Sequence, residues 1–246
     1  AMKNADVIIP LAALVGAPLC SLDPVGATTI NHDAIELMLK LLSNEQIVLM
    51  PTTNSAYGTG EKDNYCNENS PLRPISQYAI EKVEIEKKLM QHPNAISFRL
   101  ATVFGMSPRM RIDLLVNDFT YRALNDGFVV LFESHFKRNY IHVRDVSRVF
   151  QHALNNHNEM KSEIYNVGLS DANVSKKELC EHIQKQLPEF IFIDEQIGKD
   201  PDQRNYIVSN EKIESTGFKT EFSLDRGIEE LIKGYQMIKN SLYGNV

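Results

Sequence analysis

Tyr78 and Lys82 lie four residues apart in the segment SQYAIEK, and their types and spacing suggest proton transfer. Four residues on an α-helix make just over one turn, so both side chains share one helix face. A tyrosine hydroxyl has an ordinary pKa of about 10, and a nearby lysine ammonium favours the phenolate and lowers that pKa. Ser76 is placed to cap the helix that carries the pair.

A second chemical group precedes this helix, in the segment MPTTNSAYG. The segment reads as the end of a buried strand, which is where open α/β sheets bind their ligands. The hydroxyl of Thr53 or Ser55 can hold a substrate oxygen against Tyr78, although either residue alone also fits ordinary turn chemistry. Together these groups can take a proton from an alcohol while a hydride leaves its carbon.

The elements that must position these residues alternate between strands and helices. The apolar segments DVIIPLAALVG, QIVLMPTTNSAYG and AISFRLATVFG predict buried strands, and NHDAIELMLKLL and SQYAIEKVEIEKKLMQ predict helices between them. Such alternation is typical of a parallel α/β sheet.

The second half of the chain follows a looser pattern. DLLVNDFTYRALND, VSKKELCEHIQKQL, NEKIESTG and SLDRGIEELIKGYQMIK predict helices, GFVVLF and EIYNVG predict strands, and RNYIHVRDVSRVFQHALNN predicts a strand followed by a helix. Ser175 and Glu178 occupy capping-box positions, Ser223 is a predicted cap, and Gly217 stands where a helix ends.

Composition limits the function. The chain has 246 residues and a formal net charge of −6, which argues against general nucleic-acid binding. No apolar run reaches the ~18 residues of a membrane span. Cys20, Cys66 and Cys180 show neither metal-ligand nor disulfide spacing, so we expect buried thiols, no metal and a reducing compartment, the cytoplasm.

Six segments, in the same order along the chain, resemble the extended short-chain dehydrogenase/reductase family of nucleotide-sugar epimerases and dehydratases. They are PLAALVG, TTNSAYG, YAIEK, FRLATVFG, RNYIHVRDV and the pair DPDQRNYIVSNEKI and TGFKTEFSLDRGIEELI. The resemblance implies a Rossmann-type doubly wound parallel sheet over 1–105 and 135–168. It also implies a small nucleotide-sugar-binding domain over 106–134 and 169–246.

The resemblance also implies roles for individual residues. Tyr78 matches the catalytic base and acid, Lys82 the residue that lowers its pKa and binds the nicotinamide ribose, and Thr53, rather than Ser55, the catalytic hydroxyl. The positions that match the lining of the NAD site are Leu11, Ala12, Ala13, Asn31 and Thr102. Arg138 matches the arginine that grips the substrate diphosphate; Arg109, Arg111 and Arg204 are further candidates for that pocket, and no metal is implied.

Longer phrases narrow the resemblance to one branch. PLAALVGAPLC, TNSAYG, RLATVFGMSPRMRIDLLVNDF and DPDQRNYIVSN are similar to bacterial GDP-manno-heptose 4-dehydrogenases of surface polysaccharide biosynthesis. The resemblance implies oxidation at C4 of a GDP-linked heptose. It also implies a homodimer that pairs the helices at 31–43 and 76–91, with Ile80, Val83, Leu89 and Met90 as apolar surface.

The sequence departs from the family at one motif. The family opens with a strand, a glycine-rich turn and a helix that hold the pyrophosphate of NAD, but no Gly-x-x-Gly-x-x-Gly pattern occurs here. The segment YGTG at 57–60 follows the catalytic strand and has the wrong spacing. We expect about two βα units, roughly 70 residues, to be missing, and the chain to be a fragment of a complete enzyme rather than a naturally short protein.

Several alternatives stay open at this point. The enzyme can be a dehydrogenase or an epimerase, including a UDP-sugar 4-epimerase, and its cofactor can be NAD or NADP. A dehydratase fits least, because TTNSAYG lacks the Asp-Glu pair that follows the threonine in such enzymes. A non-enzymatic binding protein on the same fold is the hypothesis from another class.

Overall fold

The computed structural model describes residues 2–58, 65–195 and 204–238, and the segment YGTG at 57–60 runs beyond the first of these ranges. The strands are β1 Val7–Ile8, β2 Ile47–Thr53, β3 Tyr65–Cys66, β4 Ala95–Leu100, β5 Thr102–Phe104, β6 Phe128–Phe132, β7 Lys137–His142, β8 Glu163–Val167, β9 Asn173–Ser175, β10 Ile191–Glu195 and β11 Ile207–Val208. The helices are α1 Ala17–Leu22, α2 Pro24–Thr28, α3 Ala34–Leu41, α4 Gln77–Leu89, α5 Leu115–Asn125, α6 Val143–Asn155, α7 His157–Met160, α8 Lys176–Gln186, α9 Glu211–Ser215 and α10 Leu224–Met237.

The main sheet has four parallel strands in the order β1-β2-β4-β8. The apolar run of β2 leaves Val48, Leu49 and Met50 fully buried, as expected for a strand covered on both faces. This arrangement confirms the predicted parallel α/β class. β1 lies at the edge of the sheet and, among the described residues, pairs only with β2.

The segment AISFRLATVFG forms two strands, so the prediction of one continuous strand was wrong. Ala101 separates β4 from β5 and donates its backbone N–H to the carbonyl of Val167 at 2.9 Å. β5 then pairs in parallel with β7, which in turn pairs antiparallel with β9. The chain thus passes from one sheet to the next, because β4 and β5 have different neighbours.

The helix caps agree with the sequence. The hydroxyl of Ser76 accepts the backbone N–H of Ala79 at 3.3 Å, and Ser223 caps α10 in the same way. Ser175 and Glu178 form the complete capping box of α8. The sequence analysis missed α1, α2, α7 and the strands β3, β9 and β11, which are too brief to leave a periodic pattern. It also missed β10, which has 5 residues like the predicted strand β6 but is exposed along most of its length.

A large apolar core joins the elements assigned to the predicted substrate domain. It includes Val116 of α5, Leu131 of β6, Leu179 of α8 and Ile228 of α10, all at most 1% exposed. The division into two domains stays a prediction. The helices of the described residues include none that is long and apolar enough to cross a membrane.

Only some of the residues predicted to form the apolar dimer surface are exposed. Val83 and Leu89 are buried within their own protomer, where Leu89 packs with residues of α3, β2 and β4. They therefore do not offer apolar surface to a partner, because both side chains are already covered within the protomer. Ile80 and Met90 keep partial exposure, and Leu37 of α3 is 58% exposed. The homodimer itself stays a prediction.

Candidate active site

Tyr78 and Lys82 share one face of α4, as their spacing predicts. The Lys82 ammonium lies 6.0 Å from the centre of the Tyr78 ring, and the Lys82 side chain is buried at 5% exposure. Ser76 fixes the first turn of the helix, so the position of Tyr78 follows directly from the cap.

The protonation of this pair is dominated by burial. Burial raises the pKa of Tyr78 to about 12, whereas the positive charges of Arg204 and Arg111 lower it. Burial also lowers the pKa of Lys82. The pKa of Tyr78 thus lies above its ordinary value and not below it as the sequence predicts, because the loss of water outweighs the nearby charges. With this pKa, Tyr78 keeps its proton at neutral pH.

A single cavity of about 400 Å³ brings most of the predicted site residues together. Those that line it are Leu11, Ala13, Thr53, Tyr78, Lys82, Thr102, Arg109, Arg111 and Arg204. Ala12, Asn31 and Arg138 are not part of its lining. The cavity also contains residues that the sequence analysis did not select, among them Ser107, Asn117 and Tyr206.

Asn31 lies behind the residues that line the cavity and supports them. It is fully buried in the π-helical turn Thr29–Asp33, and its side-chain amide forms two hydrogen bonds of 2.9 Å with the backbone N–H and carbonyl of Leu14. The thiol of Cys20 donates to the same carbonyl at 3.4 Å. Asn31 therefore holds the loop that carries Leu11 and Ala13 in place.

Thr53 stands at the end of β2 and lines the cavity. Its Oγ1 accepts the backbone N–H of Ser55 at 3.1 Å, which caps the short turn Asn54–Tyr57. A hydroxyl can accept and donate at the same time, so the Thr53 proton can still be donated to a substrate oxygen. The Ser55 hydroxyl instead accepts a hydrogen bond from Arg204.

The arginines lie at two depths. Arg111 lines the cavity and forms a bidentate pair with Asp113 at 2.6 and 2.8 Å, which raises the pKa of its guanidinium. Arg138 lies on β7 at 4% exposure, with its Nε buried. Backbone contacts join β7 to the segment that carries Arg204, since the Tyr206 N–H donates to the Lys137 carbonyl at 3.1 Å. The arginine predicted to grip the diphosphate is thus next to the cavity-lining segment rather than in the wall itself.

A buried ion pair fixes α4 against the sheet, and the sequence analysis missed it. Glu86 lies one turn beyond Lys82 and meets Arg99 of β4 at 2.6 Å, with both side chains 4% exposed. The carboxylate also accepts hydrogen bonds from Thr52 at 3.0 Å and Ser97 at 2.7 Å. Because Thr52 precedes Thr53, this network sets the position of Tyr78 relative to the Thr53 hydroxyl.

The three cysteines are free and buried, as predicted. Cys20 is 1% exposed, and burial raises the pKa of its thiol. It lies close enough to the pair to act on the pKa values of both Tyr78 and Lys82.

Comparison with known structures shows the same fold in sugar-nucleotide enzymes. A UDP-glucuronic acid 4-epimerase from Bacillus cereus, solved with UDP-glucuronic acid and NAD, has a TM-score of 0.83 and 20% sequence identity, and the match covers 96% of this chain and 77% of that one. MoeE5 in complex with UDP-glucose and NAD has a TM-score of 0.81 and 20% identity, over 96% of this chain and 81% of that one. These likenesses confirm the predicted Rossmann-like α/β fold.

Sequence comparison adds a curated relative and a family model. An uncharacterized protein of Schizosaccharomyces pombe is 22% identical over 221 residues, covering 75% of this chain and 60% of the relative. The chain therefore spans only about 60% of the length of that relative. The model of the NAD dependent epimerase/dehydratase family matches residues 1–168. Since that match covers well over half of the 246 residues, the chain belongs to the NAD dependent epimerase/dehydratase family.

Proposed function

We propose that the chain carries the catalytic residues of an enzyme that oxidises C4 of a nucleotide-linked sugar with NAD. The observation that carries the proposal is the single cavity that holds the Tyr78–Lys82 pair, the Thr53 hydroxyl and three arginines. A proton-transfer pair supplies the chemistry, and the arginines supply the positive charge that a diphosphate needs.

In this proposal each group has a defined task. Thr53 donates a hydrogen bond to the sugar oxygen and orients it towards Tyr78. The phenolate form of Tyr78, which the Lys82 ammonium favours, takes the proton of the C4 hydroxyl as the hydride leaves C4, and Tyr78 becomes the phenol. Because burial raises the pKa of Tyr78 to about 12, positive charge close to the phenol is needed for it to act as a base at neutral pH.

The residues present fit the nicotinamide end of NAD. Leu11, Ala13 and Thr102 give the cavity a largely apolar wall, and Lys82 places one buried amine in it, which suits a flat ring joined to a ribose with hydroxyl acceptors. When bound, NAD supplies the acceptor for the C4 hydride. None of these residues is assigned to the adenine or pyrophosphate, whose glycine-rich motif is absent from the 246 residues.

The proposed substrate is a GDP-linked heptose of surface polysaccharide biosynthesis. The four long phrases shared with GDP-manno-heptose 4-dehydrogenases support it. UDP-linked sugars are the competing class of substrate, because two structural neighbours were solved with UDP-glucose and with UDP-glucuronic acid. A 4-epimerase would use the same oxidation and then return the hydride from the opposite face of the ring.

The test compares Tyr78→Phe with Tyr121→Phe, a control at a partly exposed tyrosine. Each protein is incubated with NAD and a panel of GDP- and UDP-linked sugars, and products are followed by chromatography and by the absorbance of reduced nicotinamide. We expect Tyr78→Phe to lose turnover while keeping its circular dichroism spectrum, and the control to behave as wild type. Wild-type turnover in Tyr78→Phe would refute the assignment.

If the chain is instead a non-enzymatic binding protein on the same fold, we expect a different experimental result. It would give no product with any sugar nucleotide and no nicotinamide in the purified protein. Mass spectrometry of the denatured protein detects co-purified NAD and measures the length of the natural chain in the same experiment.

A further inference from the structure

Asn117 is a buried amide in the wall of the cavity, and the proposed reaction gives it no task. It lies in the first turn of α5, is 2% exposed and lines the cavity. Its Oδ1 accepts the backbone N–H of Gly105 at 3.1 Å, and its Nδ2 donates to the carbonyl of Arg111 at 2.9 Å. A side-chain amide is suited to this task because it carries both an acceptor and a donor. One side chain thus joins the two ends of the loop 105–111.

The loop 105–111 presents every second residue to the cavity. The residues that line the cavity are Gly105, Ser107, Arg109 and Arg111. Met110 is 2% exposed and belongs to the apolar core described above, and Met106 packs against the same core. Two of the three cavity arginines therefore stand on an irregular loop, which the core holds through its methionines and Asn117 holds at its ends.

The first end of the loop is fixed by close packing. Gly105 has a φ of 110°, a conformation that glycine adopts without strain, and a Cβ at this position would lie 2.3 Å from Nε2 of His142. The backbone carbonyl of Asn117 accepts the hydroxyl of Tyr235 in α10 at 3.1 Å. Asn117 itself is therefore held by the helices of the core, so it offers the loop a fixed point of attachment.

The second end of the loop carries Arg111. The bidentate pair with Asp113 orients its guanidinium, and its Nη2 also donates to the carbonyl of Val15 at 3.5 Å. Val15 lines the cavity as well, in the segment that carries Leu11 and Ala13. The hydrogen bond from Asn117 to the Arg111 carbonyl thus sets where this cation stands relative to the segment at the NAD end.

We propose that Asn117 is a positioning residue for the substrate, which holds the ends of the loop 105–111 so that Arg109 and Arg111 meet the diphosphate. A loop that is ordered in advance loses less conformational entropy when the ligand binds, so binding is tighter. This inference deepens the proposed function, on which it rests for the diphosphate ligand. Thr53, Tyr78 and Lys82 lie on β2 and α4, so the loss of Asn117 weakens binding and leaves the chemistry in place.

The test compares Asn117→Leu with Asn125→Leu. Asn117→Leu keeps a side chain of similar size but makes neither hydrogen bond. Asn125 is an exposed residue of the same helix, and its amide donates to the Tyr121 carbonyl at 2.9 Å, so the control makes the same chemical change away from the cavity.

Three measurements are made on each protein. Amide hydrogen exchange of the peptide 105–111, followed by mass spectrometry without ligand, reports on the loop. Calorimetric titration with GDP, and in parallel with UDP, gives the nucleotide affinity. Steady-state kinetics with the sugar nucleotide that turns over in the panel above separates KM from kcat.

We expect faster exchange of the peptide 105–111 in Asn117→Leu, about tenfold weaker binding of the nucleotide that the wild type binds, and a raised KM with kcat near the wild-type value. Asn125→Leu should match the wild type in all three measurements. A merely structural role would lower stability and leave the affinity and KM unchanged. If Asn117→Leu does not fold, Asn117→Ser also reaches neither partner and carries the same expectations.

The outcome is separable from that of the proposed function. Wild-type exchange of the loop in a folded Asn117 variant, or unchanged nucleotide affinity, would overturn the inference and leave the proposed function standing. A wild-type protein that binds neither GDP nor UDP would refute the proposed function and, with it, the role of Asn117 in diphosphate binding.

Discussion

The ion pair between Arg99 and Glu86 allows a quantitative prediction about how α4 is held. Arg99→Met removes three hydrogen bonds to the carboxylate, at 2.6, 3.1 and 3.1 Å, one to the Tyr57 hydroxyl at 3.1 Å and one to the Glu68 carbonyl at 3.2 Å. The methionine fills a similar volume, so the loss is electrostatic rather than a cavity. Glu86 is left as a buried charge without its cation.

The expected cost follows from what remains around Glu86. Breaking a buried pair by removing one partner costs about 3–5 kcal/mol, because the other charge is left uncompensated. Thr52 and Ser97 still donate to the carboxylate, which places the expected loss at the lower end, about 3 kcal/mol. Against a typical total of about 5–15 kcal/mol, such a loss is readily measured.

The assay is urea unfolding at neutral pH, followed by circular dichroism, with the free energy of unfolding extrapolated to water. Lys233→Met is the control, since Lys233 forms an ion pair with Glu229 on the exposed face of α10. Exposed pairs of this kind contribute little, so we expect the control to unfold at the wild-type urea concentration.

The double variant Arg99→Met with Glu86→Leu provides the decisive comparison. Replacing both charges by apolar side chains removes the unpaired charge, so we expect it to be more stable than Arg99→Met alone. The reasoning fails if Arg99→Met costs less than about 1 kcal/mol, the range of an exposed pair. It also fails if the double variant is no more stable than the single one.

Four further outcomes can be checked. Lys82→Met should lower both the turnover and the NAD affinity, with the affinity measured by equilibrium dialysis. If neither changed, the double role proposed for Lys82 would be refuted. Arg138→Gln and Arg204→Gln should each weaken GDP binding about tenfold or more in calorimetric titration, and unchanged affinity in one variant would exclude that arginine from the diphosphate site. The hydrogen bond from the Ser175 backbone N–H lowers the pKa of Glu178 in the folded protein. The stability that Glu178 contributes is therefore present above its unfolded-state pKa and is lost as the pH falls through its folded-state pKa. Glu178→Gln should make the free energy of unfolding less dependent on pH in this acid range. Sedimentation should show a homodimer that Leu37→Glu dissociates, and a wild-type monomer at micromolar concentration would contradict it.

The parts of the site that the sequence predicts are those governed by local geometry. The spacing of Tyr78 and Lys82 and the cap at Ser76 depend only on neighbours within one helical turn, and the structure has all three as expected. The capping box of α8 is local in the same sense. The parallel sheet follows from the apolar runs of the strands, since strands buried on both faces need no alternation.

The rest depends on contacts that leave no local pattern. Arg204 donates to Ser55 across 149 positions of sequence, and Glu86 meets Arg99 only because α4 packs on β4. Periodicity likewise shows that α4 has an apolar side, but not whether that side faces its own sheet or a partner. For that reason Val83 and Leu89 were assigned to the wrong surface.

Two buried acids on α4 explain how a charged helix can hold Tyr78 and Lys82, the proposed catalytic pair, in a fixed position. Glu86 ties the helix to β4 through Arg99, and Glu81 ties it to the end of α2 through Thr28. Tyr78 and Lys82 both lie within one turn of Glu81, and Glu86 lies one turn beyond Lys82, so α4 is held from two directions. Holding the reacting groups in place in advance reduces the entropy that must be lost in the transition state. On this argument, charge-free variants at either acid should leave secondary structure intact and impair turnover through misplaced Tyr78 and Lys82.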